Sequence, residues 1–151
     1  MSETKTIFLF DGRVTKETLP AFRPGESSAD IRIKRLLLAQ GDLSQIYDGA
    51  RPDQGLLYLA TMQLLRGQMR GNHYHHAKRE WFYLISGSMR LVVRDRASGE
   101  RRELLVAAGD RIYLAPEVEH ALLPLEAGFA VEYSTEAFDP GDTFRAELLS
   151  A

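Results

Sequence analysis

The 151-residue sequence has no cysteine, which excludes disulfides, thiolate nucleophiles and sulfur-ligated zinc; any bound metal must take nitrogen and oxygen ligands. An excess of charge is missing too. Nineteen basic residues stand against 21 acidic ones, a net charge of −2, so no global positive field draws nucleic acid or an anionic membrane, and neither is expected as a partner. Long apolar runs are also absent. The N-terminal Ile7-Phe8-Leu9-Phe10 is too short for a signal peptide, and no later run approaches the ~20 residues that span a bilayer; a cytoplasmic location is the expectation. Repeats and low-complexity tracts are lacking. What remains is 44% apolar and 26% charged, an ordinary composition for one folded domain with a single core.

Short apolar runs separated by turns dominate the chain. Thr6 to Phe10 reads as a strand stopped by Asp11-Gly12, and residues 13 to 29, with two prolines and Gly25, read as an irregular connection. Ile31 to Leu38 alternates before becoming apolar throughout, as a strand does on entering a packed layer. Asp42 is placed to cap one helical turn through Gln45-Ile46-Tyr47, and Gly49 to Gly55 forms a loop. Leu56 to Leu65 is a strand candidate with both faces covered, and Ser88 to Asp95 has the clearest period of two. Ala97 to Glu100 turns the chain, Arg102 to Val106 returns, and Arg111 to Leu114 is closed by Pro116. Phe129 to Tyr133 is the last core strand; the tail forms a short helix or an edge addition. Such a chain is an all-β sandwich or barrel.

Three of the four histidines fall between Gly67 and Gly87. On a strand, His73 and His75 leave the same face and converge on one point. A turn through His76-Ala77-Lys78-Arg79 brings Glu80 back beside them, and His120 offers a third imidazole from a distant strand. Three neutral imidazoles and one carboxylate leave two positions open on an octahedral ion; Fe(II), Mn, Ni and Zn all suit this set. Arg66 and Arg70 flank the cluster as candidates to grip a phosphate or carboxylate. Phe82 and Tyr133 are expected on the interior face with Glu80 and His120, Phe82 as pocket wall and Tyr133 as proton donor. His76 breaks the alternation and is expected in an exposed turn. Trp81, Tyr83 and Ile85 face outward, toward another sheet or subunit.

These residues resemble the first motif of the cupin superfamily, Gly-x5-His-x-His-x(3,4)-Glu-x6-Gly, at Gly67, His73, His75, Glu80 and Gly87. Of the second motif Gly109 and His120 match, while Pro116 sits one place late, Val118 replaces a glycine and Leu123-Pro124 occupies the asparagine region. The resemblance implies a double-stranded β-helix, the jelly-roll cupin barrel, over residues 55–135, with residues 1–54 as N-terminal strands and arm packed on it and 136–151 as a C-terminal tail, one domain overall. It also implies a homodimer. Arg70-Gly-Asn-His-Tyr-His-His76 is similar to small cupins of sugar-nucleotide and capsular polysaccharide pathways. The expectation is a metal-dependent enzyme on a small oxygen-rich metabolite, of isomerase, epimerase or lyase type, with Glu80 and Tyr133 moving protons. The alternatives are an Fe(II) dioxygenase and a non-catalytic small-ligand binder.

Overall fold

A computed structural model describes residues 5–49 and 55–149. The strands are β1 (Lys5–Leu9), β2 (Val14–Thr18), β3 (Ala21–Phe22), β4 (Lys34–Leu38), β5 (Gly41–Gln45), β6 (Tyr58–Leu64), β7 (Arg70–Tyr74), β8 (Glu80–Leu84), β9 (Ser88–Asp95), β10 (Arg101–Ala107), β11 (Asp110–Leu114), β12 (Val118–Glu126), β13 (Gly128–Ser134) and β14 (Phe144–Arg145). One 3₁₀ turn, Pro140–Asp142, precedes β14. A six-stranded sheet, β1-β2-β11-β8-β13-β6, faces a five-stranded one, β10-β9-β12-β7-β14. From β6 to β9 the chain changes sheet at every strand, and the pairings in both sheets are antiparallel. This is the jelly-roll cupin barrel. Among the described residues no helix is long and apolar enough to cross a membrane.

Alternation builds the core. Leu64, Phe82, Leu84, Ile112 and Leu114 point from the larger sheet onto Met89, Leu91, Val93, Val118 and Leu122 of the smaller one. Each such side chain contributes about 1.5–3 kcal/mol by leaving water. Val92 and Ala121 face away from this core, yet both are fully buried because Ala146 and Leu148 cover them. The tail therefore returns across the outside of the smaller sheet, anchored by β14 on the edge of β7.

Three local expectations are corrected. Asp42 caps no helix: the chain turns at Ala39-Gln40, pairs β5 with β4, and Asp42 meets Arg35 at 3.3 Å. Within residues 13–29, Val14–Thr18 is a strand whose ladders to β1 and β11 override its lack of apolar alternation. The strand at β6 is covered on one face only, with Leu59 68% exposed. Of the two forms expected for the tail, the edge addition is the one observed. The loop expected from Gly49 to Gly55 lies largely outside the described residues.

Candidate metal centre and its pocket

His73 and His75 come from the end of β7, Glu80 opens β8, and His120 lies on β12. One ligand-type atom from each lies within 4.8 Å of the others. His120 stands opposite His73 in the β7–β12 ladder, which slips by one residue immediately beyond. The slip is a bulge at Gly71 and Asn72, both left-handed at φ 77° and 64°. It has two effects. Arg70 and His73, three apart in sequence, face the same cavity, and a backbone approach closes so tightly that a Cβ on Gly71 would lie 3.1 Å from the His120 carbonyl oxygen.

The imidazoles are oriented from behind. Nδ1–H of His75 donates to the Asp142 carbonyl at 2.5 Å, and Nδ1–H of His120 donates to the Val118 carbonyl at 3.1 Å. Both Nε2 atoms are then bare acceptors turned toward Glu80 Oε2, at 3.6 Å and 3.1 Å respectively. All three atoms are buried and have no hydrogen-bond partner. Buried orphans of this kind are costly, and a set of unprotonated nitrogens around a carboxylate fits a divalent cation.

Electrostatics divide the cluster. Burial, reinforced by His120, pushes the His73 pKa down to about 4, so this ring stays neutral. Burial lowers the His75 pKa as well, but the neighbouring Glu80 carboxylate and the bond to the Asp142 carbonyl outweigh it and hold the pKa above the usual value. Glu80 is ionised well below the ordinary range: burial opposes this, but His120 and His75 outweigh it.

Over the cluster lies a half-open cavity of about 200 Å³. Lys78 and Glu132 form one wall, joined at 2.8 Å. Burial, together with a hydrogen bond to Glu80, raises the Glu132 pKa to about 7. Glu80 and Glu132 overcome burial to raise that of Lys78. Tyr58 and Phe138 form the mouth, stacked with centroids 6.1 Å apart, and the Lys78 ammonium lies 4.6 Å from the Tyr58 ring centroid.

The remaining candidates are dispersed. Arg70 lines the cavity, whereas Arg66 is exposed on the turn after β6 and does not. Phe82 shares Glu80's face of β8 but is packed in the core, away from the cavity lining. Tyr133 points the other way. It pairs across the ladder with Trp81, stacks on that ring at 5.8 Å on the outer face of the larger sheet, and donates its hydroxyl to the Ile46 carbonyl at 3.3 Å. The interior position belongs to its neighbour Glu132, opposite Phe82. His76 is exposed and pairs with Glu117. Sequence reasoning missed Lys78, Glu132 and Asp142; for Glu132 the one available signal was a charged residue inside an otherwise apolar strand.

The family described as "Polysaccharide biosynthesis C-terminal domain" matches residues 41–121, more than half of the chain, and the match spans all four clustered residues. The chain belongs to this family. Comparison with curated proteins finds no match. Among solved structures, this polysaccharide biosynthesis C-terminal domain protein is similar to the dTDP-6-deoxy-D-glucose-3,5-epimerase of Legionella pneumophila in complex with dTDP-4-keto-L-rhamnose, at 12% identity and a TM-score of 0.70 over 95% of this chain and 77% of that one. It is also similar to a sugar 3,4-ketoisomerase of Thermoanaerobacterium thermosaccharolyticum in complex with TDP, at 16% identity and a TM-score of 0.66 over 78% and 86% of the two chains. With CapF bound to the inhibitor 3-isopropenyl-tropolone it shares 25% identity at a TM-score of 0.54; 59% of this chain covers only 28% of CapF. Together these establish an RmlC-like cupin barrel.

Proposed function

We propose that this chain is a metal-dependent enzyme of isomerase, epimerase or lyase type, acting beside a carbonyl group of a small oxygen-rich substrate, with a sugar derivative as the substrate class. The observation that carries this reading is the convergence of His73, His75, His120 and Glu80 on one point, with two Nε2 atoms and a carboxylate oxygen buried and unpaired. The sugar-nucleotide epimerases and ketoisomerases of similar fold support the substrate class. A tropolone carries two oxygens on adjacent ring carbons, a pattern that suits an ion with two open positions, and this is the inhibitor held by CapF.

The four clustered residues would hold Fe(II), Mn, Ni or Zn, and the ion, when bound, supplies Lewis-acid polarisation of a carbonyl oxygen. The chain's own groups do the rest. The Glu132 carboxyl, poised near neutrality against Lys78 and Glu80, takes or returns a proton. Lys78 keeps that carboxyl in place, Arg70 offers a guanidinium fork to an anionic group, and Tyr58 with Phe138 gives a flat apolar face at the mouth. Tyr133 takes no part, since its ring lies beyond the sheet.

The outer face at β6 is proposed as a homodimer contact. Leu57, Leu59, Leu65, Ile85 and Phe129 are each at least 50% exposed there, beside β6, the edge strand of the larger sheet among the described residues.

The test is elemental analysis of protein purified without chelator, followed by incubation with TDP-4-keto-6-deoxyglucose in D₂O and NMR of the sugar protons. Stoichiometric metal lost in His120→Ala, with deuterium entering carbons next to the keto group, is expected. Absence of metal sinks the reading; metal with oxygen uptake and no exchange would replace it with dioxygenase chemistry.

A further inference from the structure

The tail beyond β13 does more than cover Val92 and Ala121. Asp142 closes around the outside of the histidine cluster with every oxygen atom it has. Its Oδ1 accepts from the His76 N–H at 2.7 Å, its Oδ2 from the N–H groups of Ala77 and Lys78 at 3.1 and 3.0 Å, and its carbonyl from His75 Nδ1–H at 2.5 Å. The turn that separates His75 from Glu80 is thus wrapped on a carboxylate 64 residues away. Either side of Asp142 is also fixed. Asp139 accepts from Gly141 N–H at 2.9 Å, and β14 pairs Phe144 with Tyr74 and Arg145 with His73. Beyond β14, Asn72 binds Ala146, Leu148 and Leu149 through its carbonyl and both side-chain atoms.

We infer that Asp142 is a positioning residue for the metal centre: its side chain holds its own carbonyl against His75, which locks that ring as the Nδ1–H tautomer and presents Nε2 to the cluster. This rests on the metal-site reading above for its purpose, but not for its geometry. Without the carboxylate, three N–H groups of the 76–78 turn lose their acceptor together, and the carbonyl of residue 142 loses its tie to the turn that follows the ring. Partners of this kind behind a ligating histidine typically carry 10–100-fold of metal affinity. A turn-stabilising role alone would cost stability and leave the tautomer unchanged.

The experiment compares the full chain with Asp142→Ala, Asp142→Asn and, as a control for lost stability far from the centre, Asp95→Asn. In metal-free protein held at a pH above the titration of His75, ¹⁵N imidazole NMR, assigned with His75→Ala, reads the tautomer of the neutral ring. Cobalt(II) titration followed by visible absorbance reads affinity. The expected result is a single Nδ1–H tautomer in the wild type, a mixture in Asp142→Ala, and a roughly 10–100-fold loss of cobalt affinity. Asp142→Asn, which keeps an acceptor oxygen and guards against misfolding of the alanine variant, falls between, and Asp95→Asn binds as wild type. A folded Asp142→Ala with an unchanged His75 tautomer and cobalt affinity within about twofold of wild type overturns the inference. A wild type that keeps the locked tautomer but takes up no cobalt removes the metal reading while supporting the positioning role.

Discussion

Glu132 and Tyr133 are neighbours in β13 with opposite destinations: the carboxylate points at the histidine cluster, and the phenol stacks on Trp81 across the sheet. Pleating makes the choice absolute, since a shift of one residue moves a side chain to the other face. Glu132→Gln should keep the metal and lower turnover by about 10²–10⁴-fold, the usual range for a lost acid or base. Tyr133→Phe should stay within about twofold. Deuterium exchange into a nucleotide-linked keto sugar measures both; equal rates in the two variants would remove Glu132 from the mechanism.

The bulge at Gly71 gives a second prediction. Gly71→Ala meets both a positive φ and the His120 carbonyl, so about 2 kcal/mol of stability should be lost, a fall in Tm of roughly 4–8 °C. Because the same backbone sets His73 against His120, cobalt affinity should fall with it. Thermal unfolding and metal titration check the pair, and an alanine variant as stable as wild type would show that the left-handed geometry is not retained in solution.

Asp95 governs part of the acid response. It is buried at the end of β9, bonded to Arg13 at 2.6 Å and to Ser98 and Ala97, and Arg13 draws its pKa from 3.8 down to about 2 against the effect of burial. A folded-state pKa below the unfolded one stabilises the fold above the unfolded value. That contribution disappears as pH falls from about 4 to 2. With Arg13 partly exposed and screened, it amounts to about 1–2 kcal/mol. Denaturant unfolding between pH 5 and 2 should show the slope in wild type and a shallower one in Asp95→Asn; parallel curves would count against it.

The exposed face of β6 is tested by mass. Sedimentation equilibrium should give twice the 17.0 kDa chain mass for wild type, and single chains for Leu59→Glu with Phe129→Glu. A monomeric wild type rejects this contact.

The histidine–carboxylate cluster was legible because period two, a turn and a spaced glycine frame fix His73, His75 and Glu80 within one short stretch. His120 followed from the second motif. The residues around them depend on pairing that local sequence does not carry. Phe129-Ala130-Val131-Glu132-Tyr133 offers apolar side chains to both faces, so only its register with β8 decides that Glu132 is inside. Arg70 should share a face with Asn72 and Tyr74 by simple alternation; the bulge brings it to the cavity. Asp142 reaches the site across more than sixty residues, and Val14–Thr18 becomes a strand because two partners pair with it.

Trp81 is the chain's single tryptophan. It follows Glu80 in β8, and its ring lies on the far side of the sheet between Tyr113 and Tyr133. The strand therefore carries its own fluorophore, shielded by one layer of backbone from whatever occupies the cavity. Emission at this indole reports movement of the strand rather than contact with a ligand, so quenching by a paramagnetic ion seated against Glu80 and a spectral shift from displacement of β8 become separable signals in one unlabelled sample.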